Sequence, residues 1–259
     1  MKTYEFDGKK YKTASKHQKE WGNALISQIS FIGNETVMDL GCGDGILTEQ
    51  LSLLVPNGKV LGIDASINMI ETAQVLQKRN LEFAHMDINQ MHFENAFDLI
   101  FSNAALHWVK DHKLLLANTY RALKTHGKIF WSFGGFGNCA HFIDVMKRTV
   151  REEKYKKYFI DFEFPWFMPT KNQYREIFSP VGFCTYTIKE INKDRYFSNS
   201  SELIQWIDQP SIVPFIKCIP GELKEVFRQE VIYEMLNRTK QPNGTYFETF
   251  RRIEIYAEK

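Results

Sequence analysis

Short apolar segments alternate with amphipathic ones along the first half of the chain. The apolar segments are too short for buried helices, and hydrophobic residues dominate them. This pattern is typical of strands that are buried on both faces of a parallel sheet. The segments between them, such as 46–54 and 111–124, carry leucines at helical spacing. Strands are therefore predicted at 36–40, 59–63, 80–85, 97–105 and 128–133, and a further amphipathic helix at 15–29.

The pattern changes after residue 135. A charged amphipathic helix is predicted over about 140–158, and an aromatic stretch follows at 159–169. We favour a cap over a ligand pocket for this stretch, with simple core packing as the alternative. The other predicted elements are a helix at 173–178, an edge strand at 183–191 that residues 196–197 extend, helices at 202–207 and 222–236, and a terminal strand at 246–257.

Composition and charge narrow the function classes. The 259 residues suit one α/β domain with insertions, and 33 basic against 31 acidic residues leave a net charge of only +2. This balance argues against nucleic acid or an anionic membrane as a partner. The four cysteines form no C-x-x-C pair, so neither a metal site nor a disulfide framework is expected. Without an apolar leader or spanning segment, a cytoplasmic protein is the expectation, and no pattern defines its oligomeric state.

A glycine-rich turn follows the first predicted strand. Gly41, Gly43 and Gly45 let the backbone turn tightly and come close to a ligand, beside the amides that begin the next helix. Asp64 ends the second predicted strand, at the sheet edge where α/β proteins bind ligands. Because a carboxylate can accept hydrogen bonds from both hydroxyls of a ribose, a ribose-bearing ligand is predicted there.

The spacing of the glycines distinguishes between ligands. A dinucleotide fingerprint needs its third glycine at position 46, which is Ile46, so a nicotinamide-dependent oxidoreductase is disfavoured. The sequence D-L-G-C-G-D-G from Asp39 to Gly45 instead resembles the first motif of class I S-adenosylmethionine-dependent methyltransferases. This resemblance implies a Rossmann-like, doubly wound, seven-stranded α/β sheet that is mostly parallel, with the last strand antiparallel. It also implies S-adenosylmethionine as the cofactor and S-adenosylhomocysteine as the product.

Further residues of the cofactor site follow from the same resemblance. An acid flanked by apolar residues, Asp87 with Ile88, fits an adenine slot, although a loop acid that caps a helix explains Asp87 equally well. The residues expected to bind the cofactor are Asp39, Gly41, Cys42, Gly43, Gly45, Asp64, Ala65, Met69, Asp87, Ile88 and Asn103.

The segment from Asp98 to Trp108 resembles trans-aconitate methyltransferase and its relatives more closely than methyltransferases in general. The resemblance places His107 and Trp108 beside the transferred methyl group, as candidate catalytic residues. Tyr11, in a segment expected to fold over the cofactor, is a third candidate. The alternatives are a polar loop or cap role for His107 and simple helix packing for the amino-terminal residues.

The resemblance also implies the organisation of the chain as one methyltransferase domain over 1–259. Its parts are an amino-terminal lid helix at 1–30, a cofactor-binding core at 31–135, cap insertions at 136–170 and 198–240, and closing strands at 171–197 and 241–259.

The leading functional hypothesis is carboxyl O-methylation of a small molecule. The enzymes that the chain resembles methylate the carboxylates of trans-aconitate, of the malonyl group on acyl carrier protein and of juvenile hormone acid. A carboxylate is already ionised at neutral pH and needs no catalytic base, whereas a phenol or an amine would call for one, such as His107. Two alternatives stay open: methylation of a nitrogen or carbon of a metabolite or protein, and a cofactor-binding regulatory protein without catalysis.

Overall fold

The computed structural model describes Glu5 and residues 16–259, apart from the side chains at 16 and 210. In these residues the strands are Thr36–Leu40 (β1), Lys59–Asp64 (β2), Leu81–His85 (β3), Phe97–Asn103 (β4), Leu123–Gly134 (β5), Thr185–Asn192 (β6), Arg195–Phe197 (β7), Tyr246–Glu248 (β8) and Arg251–Glu258 (β9). The α-helices are Lys16–Ile26 (α1), Ile46–Leu54 (α2), Ile67–Ala73 (α3), His112–Ala122 (α4), Ala140–Thr149 (α5), Lys171–Phe178 (α6), Ser200–Trp206 (α7), Val213–Ile216 (α8) and Gly221–Thr239 (α9).

Seven strands form one sheet in the order β3-β2-β1-β4-β5-β9-β6. Strand β1 pairs in parallel with β2 on one side and β4 on the other, and β9 pairs with β5 antiparallel. The predicted mixed sheet, mostly parallel with an antiparallel last strand, is therefore confirmed. Because the chain winds outward from β1 in both directions, the strand order reverses beside β1, where open α/β sheets bind ligands at their carboxyl edge.

Both faces of this sheet are covered by helices. In β1, Val37 and Met38 are both fully buried but belong to hydrophobic clusters on opposite faces. The cluster with Val37 includes residues of α1, α2 and α3, and the cluster with Met38 includes residues of α4 and α6. This burial on two sides explains why β1 carries apolar side chains at the successive positions Val37 and Met38 instead of alternating with polar ones.

The chain folds into two compact units. The first contains residues 1–136, 166–191 and 252–259, and the second contains 137–165 and 192–251. The second unit holds α5, α7, α8 and α9 together with the two-stranded sheet of β7 and β8. Its interior is aromatic, with Phe162 and Phe164 packed against Phe215 at ring distances of 5.0 and 5.5 Å.

The aromatic stretch is shared between these units. Phe159, Phe162 and Phe164 pack inside the second unit, whereas Trp166 and Phe167 pack inside the first. Core packing, the alternative interpretation, thus accounts for the contacts of these five rings within each unit. A cap function for the stretch stays a prediction.

Several predicted elements are wrong in extent. The helix expected over 140–158 ends at Thr149, because the following residues are held by α9: the Tyr155 hydroxyl donates to Glu230 at 2.7 Å and Lys154 pairs with the same carboxylate. The strand expected over 246–257 is interrupted at 249–250. There Phe250 is buried and its carbonyl accepts a hydrogen bond from the Lys193 backbone.

This interruption separates the last strand into two parts with different partners. Its first part, β8, pairs with β7 in the small sheet, so residues 196–197 do not extend the edge strand as predicted. Only β9 enters the large sheet. Strand β4 also ends earlier than expected, at Asn103, because Ala104 adopts a left-handed conformation with φ of 59°.

Neither a membrane-crossing helix nor a metal site is found among the described residues. No helix there combines the length and apolar character needed to cross a bilayer. No group of three or more histidine, cysteine or acidic side chains in that part of the chain could hold a metal ion.

Candidate active site

The glycine turn after β1 is shaped by left-handed backbone and close packing. Gly41, Gly43 and Gly45 have φ of 73°, 55° and 79°. The Gly41 amide donates to the Ile63 carbonyl at 2.8 Å, which ties the turn to the end of β2. A Cβ at Gly41 would lie 2.2 Å from the Cβ of Ala105, so a side chain there would collide with the segment after β4. The turn therefore presses its backbone against the carboxyl edge of the sheet.

Asp64 is fixed beside this turn by two backbone donors. Its Oδ2 accepts from the Gly43 amide at 3.0 Å, and its Oδ1 accepts from the Ser66 amide at 2.9 Å. Burial raises the pKa of Asp64, the two amide donors oppose that rise, and the nearby Glu5 carboxylate adds to it. Each carboxylate oxygen keeps a lone pair for a further donor. The geometry suits the predicted contact with a ribose.

Glu5 and Ser66 organise the start of α3. The Glu5 carboxylate accepts from the Ser66 hydroxyl at 2.8 Å and from the Asn68 amide at 3.3 Å, where the helix presents its unpaired N–H groups. Of the predicted site residues here, Met69 is buried, and the Ala65 carbonyl lies 3.0 Å from His85 Nε2. The role of Glu5 was missed, because an isolated acid far from α3 in the sequence gives no signal of this contact.

Asp39 lies buried beneath the turn. The Thr48 hydroxyl of α2 donates to its Oδ2 at 2.7 Å, and burial raises the pKa of Asp39 to about 7. Cys42 is also buried, and burial together with the surrounding carboxylates raises the pKa of its thiol well above the usual value. The thiol therefore stays protonated, and Cys42 contributes to the turn through its amide, which donates to Ile63 at 3.0 Å.

Asp87 and Ile88 follow β3 at the same edge. Oδ1 of Asp87 accepts from the Asn89 amide at 2.8 Å and caps the short 3-10 helix Ile88–Gln90. The alternative of a capping role for Asp87 is thus confirmed. Ile88 is largely buried in the core, with 7% of its surface exposed. A contact of either residue with adenine stays a prediction.

Helix α1 forms a wall opposite the glycine turn. A small cavity separates them, and Lys19 of α1 pairs with Asp44 of the turn at 2.8 Å. The sequence predicted this helix as part of a lid but not which of its side chains face the turn, because the choice depends on how the helix packs. Tyr11 lies outside the described residues. The cavity is lined by Gln18, Lys19, Asp39, Gly41, Cys42, Gly43, Asp44, Leu47 and Asn103.

We call the elements around this cavity and Asp64 the glycine side of the edge. The histidine side is formed by residues 106–112 together with Arg252. His107 and Trp108 lie in the 3-10 helix Leu106–Trp108, directly after β4. Trp108 packs edge-on against Trp166 at 5.5 Å, and the His107 carbonyl accepts from the Phe167 amide at 2.8 Å.

The hydrogen bond of His107 defines its protonation. The Gly134 amide donates to His107 Nδ1 at 3.4 Å, so we assign the proton of the neutral ring to Nε2. Burial, the positive charge of Arg252 and the neighbouring His112 lower the pKa of His107 to about 3. At neutral pH the ring is therefore uncharged, with Nδ1 engaged by the backbone and Nε2 able to donate.

His112 holds the backbone of the segment that carries His107. Its Nε2 donates to the Leu106 carbonyl at 3.0 Å, and the Tyr174 hydroxyl donates to its Nδ1 at 3.1 Å. Burial lowers the pKa of His112 to about 4, so this ring is neutral too. We missed His112 and Tyr174 in the sequence, because they are 62 residues apart and each resembles an ordinary amphipathic helix position.

Arg252 is a buried cation on β9. Its Nε donates to the Ser132 hydroxyl at 2.8 Å, and its Nη2 donates to Asn103 Oδ1 at 3.1 Å. Only 3% of its surface is exposed. The sequence does contain a signal for this residue, since charged side chains within an otherwise apolar terminal strand are unusual in a buried position.

Comparisons with known proteins agree with this architecture. Residues 38–131 match the model of a family described as a methyltransferase domain. The chain is 27% identical to trans-aconitate 2-methyltransferase of Mycobacterium tuberculosis, over 96% of this chain and 94% of that protein. It is 31% identical to malonyl-[acyl-carrier protein] O-methyltransferase of Legionella pneumophila, over 47% of this chain and 45% of that one. The YcgJ protein of Bacillus subtilis shares the fold, with a TM-score of 0.63, 17% identity, and coverage of 93% of this chain and 98% of that one.

The fold and these matches together identify a class I S-adenosylmethionine-dependent methyltransferase, which is similar to the trans-aconitate and malonyl-acyl-carrier-protein enzymes. The cofactor of this class is S-adenosylmethionine. The residues present fit it, because Gly41 and Gly43 of the turn line the small cavity and the oxygens of Asp64 retain acceptor capacity for ribose hydroxyls.

Proposed function

We propose that the protein transfers a methyl group to the carboxylate of a small organic acid. The observation that carries this proposal is the hydrogen bond from the Gly134 amide to His107 Nδ1. This bond occupies the lone pair of Nδ1. The neutral ring can therefore donate through its Nε2–H group but has no free lone pair with which to accept a proton. A donor without an available lone pair suits an anionic acceptor and does not suit the removal of a proton.

The chemistry needs little beyond orientation. S-adenosylmethionine supplies a methyl group already activated by its sulfonium, and a carboxylate at neutral pH is already a nucleophile. The protein then has to align the two and exclude water. A phenol or an amine would instead require a base. The pKa of His107 near 3 and that of His112 near 4 make both rings weak bases, which supports the carboxylate.

The names of two relatives also support a carboxylate as the acceptor. Trans-aconitate is an organic acid, and the malonyl group carries a free carboxyl. The first relative matches nearly the whole of this chain and the second about half of it. At this level of identity the acceptor of this protein can differ from theirs, so the proposal goes no further than a small carboxylic acid.

The proposal assigns roles along the edge. Asp64 would accept hydrogen bonds from the ribose hydroxyls, and the glycine turn with helix α1 would hold the methionine part of the cofactor. Asp87 and Ile88 would lie at the adenine. The backbone of Asn103 would pass the sulfonium, and His107 would donate from Nε2 to an oxygen of the acceptor, with Trp108 beside it.

The test is a transfer assay with methyl-labelled cofactor and a pool of organic acids. The proposal predicts a labelled product whose methyl group is released by mild alkali, as expected for an ester. Label that withstands alkali would contradict it and favour methylation of nitrogen or carbon. If the protein binds the cofactor but labels nothing in a broad acceptor screen, a regulatory role without catalysis is favoured instead.

Substitutions of His107 sharpen this assay. His107→Gln keeps a side-chain N–H donor, so ester formation is expected to stay within about fivefold of the wild type. His107→Ala removes the donor and is expected to lower kcat/KM by about 10- to 150-fold, the range for a hydrogen bond to a charged group. His92→Ala, at an exposed histidine, is the matched control. Equal losses in both His107 variants would contradict the donor role.

A further inference from the structure

A buried arginine holds helix α1 at the sheet edge. The guanidinium of Arg252 bonds to Ser132 of β5, through its hydroxyl at 2.8 Å and its carbonyl at 2.7 Å, and to Asn103 of β4 at 3.1 Å. On the other side it lies over the ring of Trp21 in α1, 4.7 Å from the ring centre. A cation over an indole in a desolvated site is a favourable contact. Arg252 therefore links α1 to two strands at their carboxyl ends.

A second contact fixes the same helix. Nδ2 of Asn103 donates to the Gln18 carbonyl at 2.8 Å, while Oδ1 of Asn103 accepts from Arg252. The amide of Asn103 is thus oriented by the arginine and passes that orientation on to α1. Neither contact is visible in the sequence, because Gln18 and Asn103 are 85 residues apart in the chain and Asn103 and Arg252 are 149 residues apart.

Gly22 allows α1 to come this close. A Cβ at this position would lie 2.3 Å from Leu47 Cδ1 and 3.0 Å from Asn103 Nδ2. Glycine inside a helix is less favourable than alanine, because it loses more backbone entropy on folding. The close approach of Leu47 and Asn103 explains why glycine occupies this position. An added methyl group would move α1 away from the glycine turn unless Leu47 gave way.

The position of α1 decides what faces the cavity. Gln18 lines the cavity together with the glycine turn. Within the described residues, its Oε1 atom is buried and has no hydrogen-bond partner. A buried acceptor of this kind is costly unless a ligand donates to it. The amino group of the methionine part of the cofactor is such a donor.

We propose that Arg252 and Gly22 are positioning residues, which hold α1 at the distance where the Gln18 side chain binds the amino group of the cofactor. The proposal rests on the placement of the cofactor in the proposed function but not on the identity of the acceptor. It predicts that changes at three separate positions weaken cofactor binding through one shared helix.

The first test is Gly22→Ala, with S-adenosylhomocysteine binding measured by calorimetry on the full chain. We expect its Kd to rise at least tenfold, while urea denaturation still shows one cooperative unfolding transition, because the helix preference of alanine offsets part of the contacts that α1 loses. Gly221→Ala is the matched control, since this helical glycine has no neighbour within 4 Å of an added Cβ. Its Kd should stay within twofold. A folded Gly22→Ala variant that binds like the wild type would overturn the proposal.

The second test asks whether the three residues act through one helix. Gln18→Ala and Arg252→Lys should each raise the Kd of S-adenosylhomocysteine about tenfold. In the Gly22→Ala background, Gln18→Ala should add less than twofold, because the contact is already lost. Fully multiplicative effects would contradict a shared mechanism, even if Arg252→Lys alone proved too unstable to measure. Lys128→Arg, at an exposed charge on β5, is the matched control for an exchange between the two basic side chains.

The outcomes also separate this inference from the proposed function. Base-stable labelled product together with weakened binding by Gly22→Ala would contradict carboxyl methylation and support the positioning roles. A base-labile ester together with unchanged binding in all three variants would support the function and overturn the positioning roles.

Discussion

The glycine side and the histidine side of the sheet edge differ in the charge they bring together. On the glycine side, Asp39, Asp64 and Glu5 gather carboxylates around a turn that presents backbone. On the histidine side, the neighbours are the cation of Arg252 and two histidines held neutral by burial. The cofactor carries positive charge on its sulfonium and amino groups, and the proposed acceptor is an anion. The contrast suggests that each side is matched electrostatically to the reactant it would hold.

The two sides are also held in place by different means. The glycine turn is held largely by backbone groups, such as the amides that bond to Ile63 and Asp64. The histidine side depends on side chains from distant elements, among them Tyr174 behind His112. Substitutions should therefore act on cofactor affinity on the first side and on turnover on the second, except at Arg252, which also contacts Trp21 of α1 and Asn103.

The largest effect is expected for Asp64→Ala. Loss of its hydrogen bonds to the ribose should weaken binding of S-adenosylhomocysteine by ~1.5 to 3 kcal/mol, the range for a hydrogen bond to a charged group. Calorimetry measures this directly. Asp98→Ala, at the opposite edge of the sheet beside Thr36 and Lys124, is the control and should bind normally. If Asp64→Ala bound S-adenosylhomocysteine normally, Asp64 would not bind the ribose. The assignment of the cofactor to the glycine side would then be contradicted.

A somewhat smaller effect is expected for Tyr174→Phe on the histidine side. The change leaves Nδ1 of His112 buried without its donor and should lower the free energy of unfolding by ~1 to 3 kcal/mol. Turnover should fall with little change in cofactor affinity, because His112 also holds the Leu106 carbonyl. Tyr186→Phe, at a more exposed ring, serves as the control. A loss of cofactor affinity as large as that of Asp64→Ala would break the division between the two sides.

The smallest effect concerns the pH dependence of Asp39. Its pKa is about 7 in the folded protein against 3.8 ordinarily, so between these values the folded state binds an extra proton. The free energy of unfolding of the wild type should therefore fall as pH rises from 5 to 7, by about 1 kcal/mol per pH unit relative to Asp39→Asn. Urea titrations at several pH values measure the difference. Parallel pH profiles would show that Asp39 stays ionised throughout.

The difference between the glycine side and the histidine side also explains which features the sequence could predict. The glycine turn and Asp64 are local features, tied to a strand, a turn and a helix that follow each other in the chain, so their positions could be inferred from spacing alone. The alternation of strands and helices likewise predicted the large sheet. The break at 249–250 could not be inferred, because the run 246–257 contains no glycine or proline to mark it and only the burial of Phe250 reveals it.

The histidine side was predicted only in part. His107 and Trp108 were found because a local segment resembles a known group. Arg252 meets Asn103 across 149 residues of sequence, and no local pattern encodes that meeting. In the sequence, Gly22 is one helical residue among others. A glycine is needed there because Leu47 of the neighbouring helix α2 packs close to it.

The most direct test of the carboxylate proposal is the pH dependence of turnover with saturating cofactor and the organic-acid pool as acceptor. Because neither His107 nor His112 titrates near neutrality, kcat should stay constant within about twofold from pH 6 to 9, and equally so in His107→Gln. A kcat that rises about tenfold per pH unit through this range would show that the acceptor has to lose a proton before it reacts, as a phenol or an amine does, and would contradict transfer to a carboxylate.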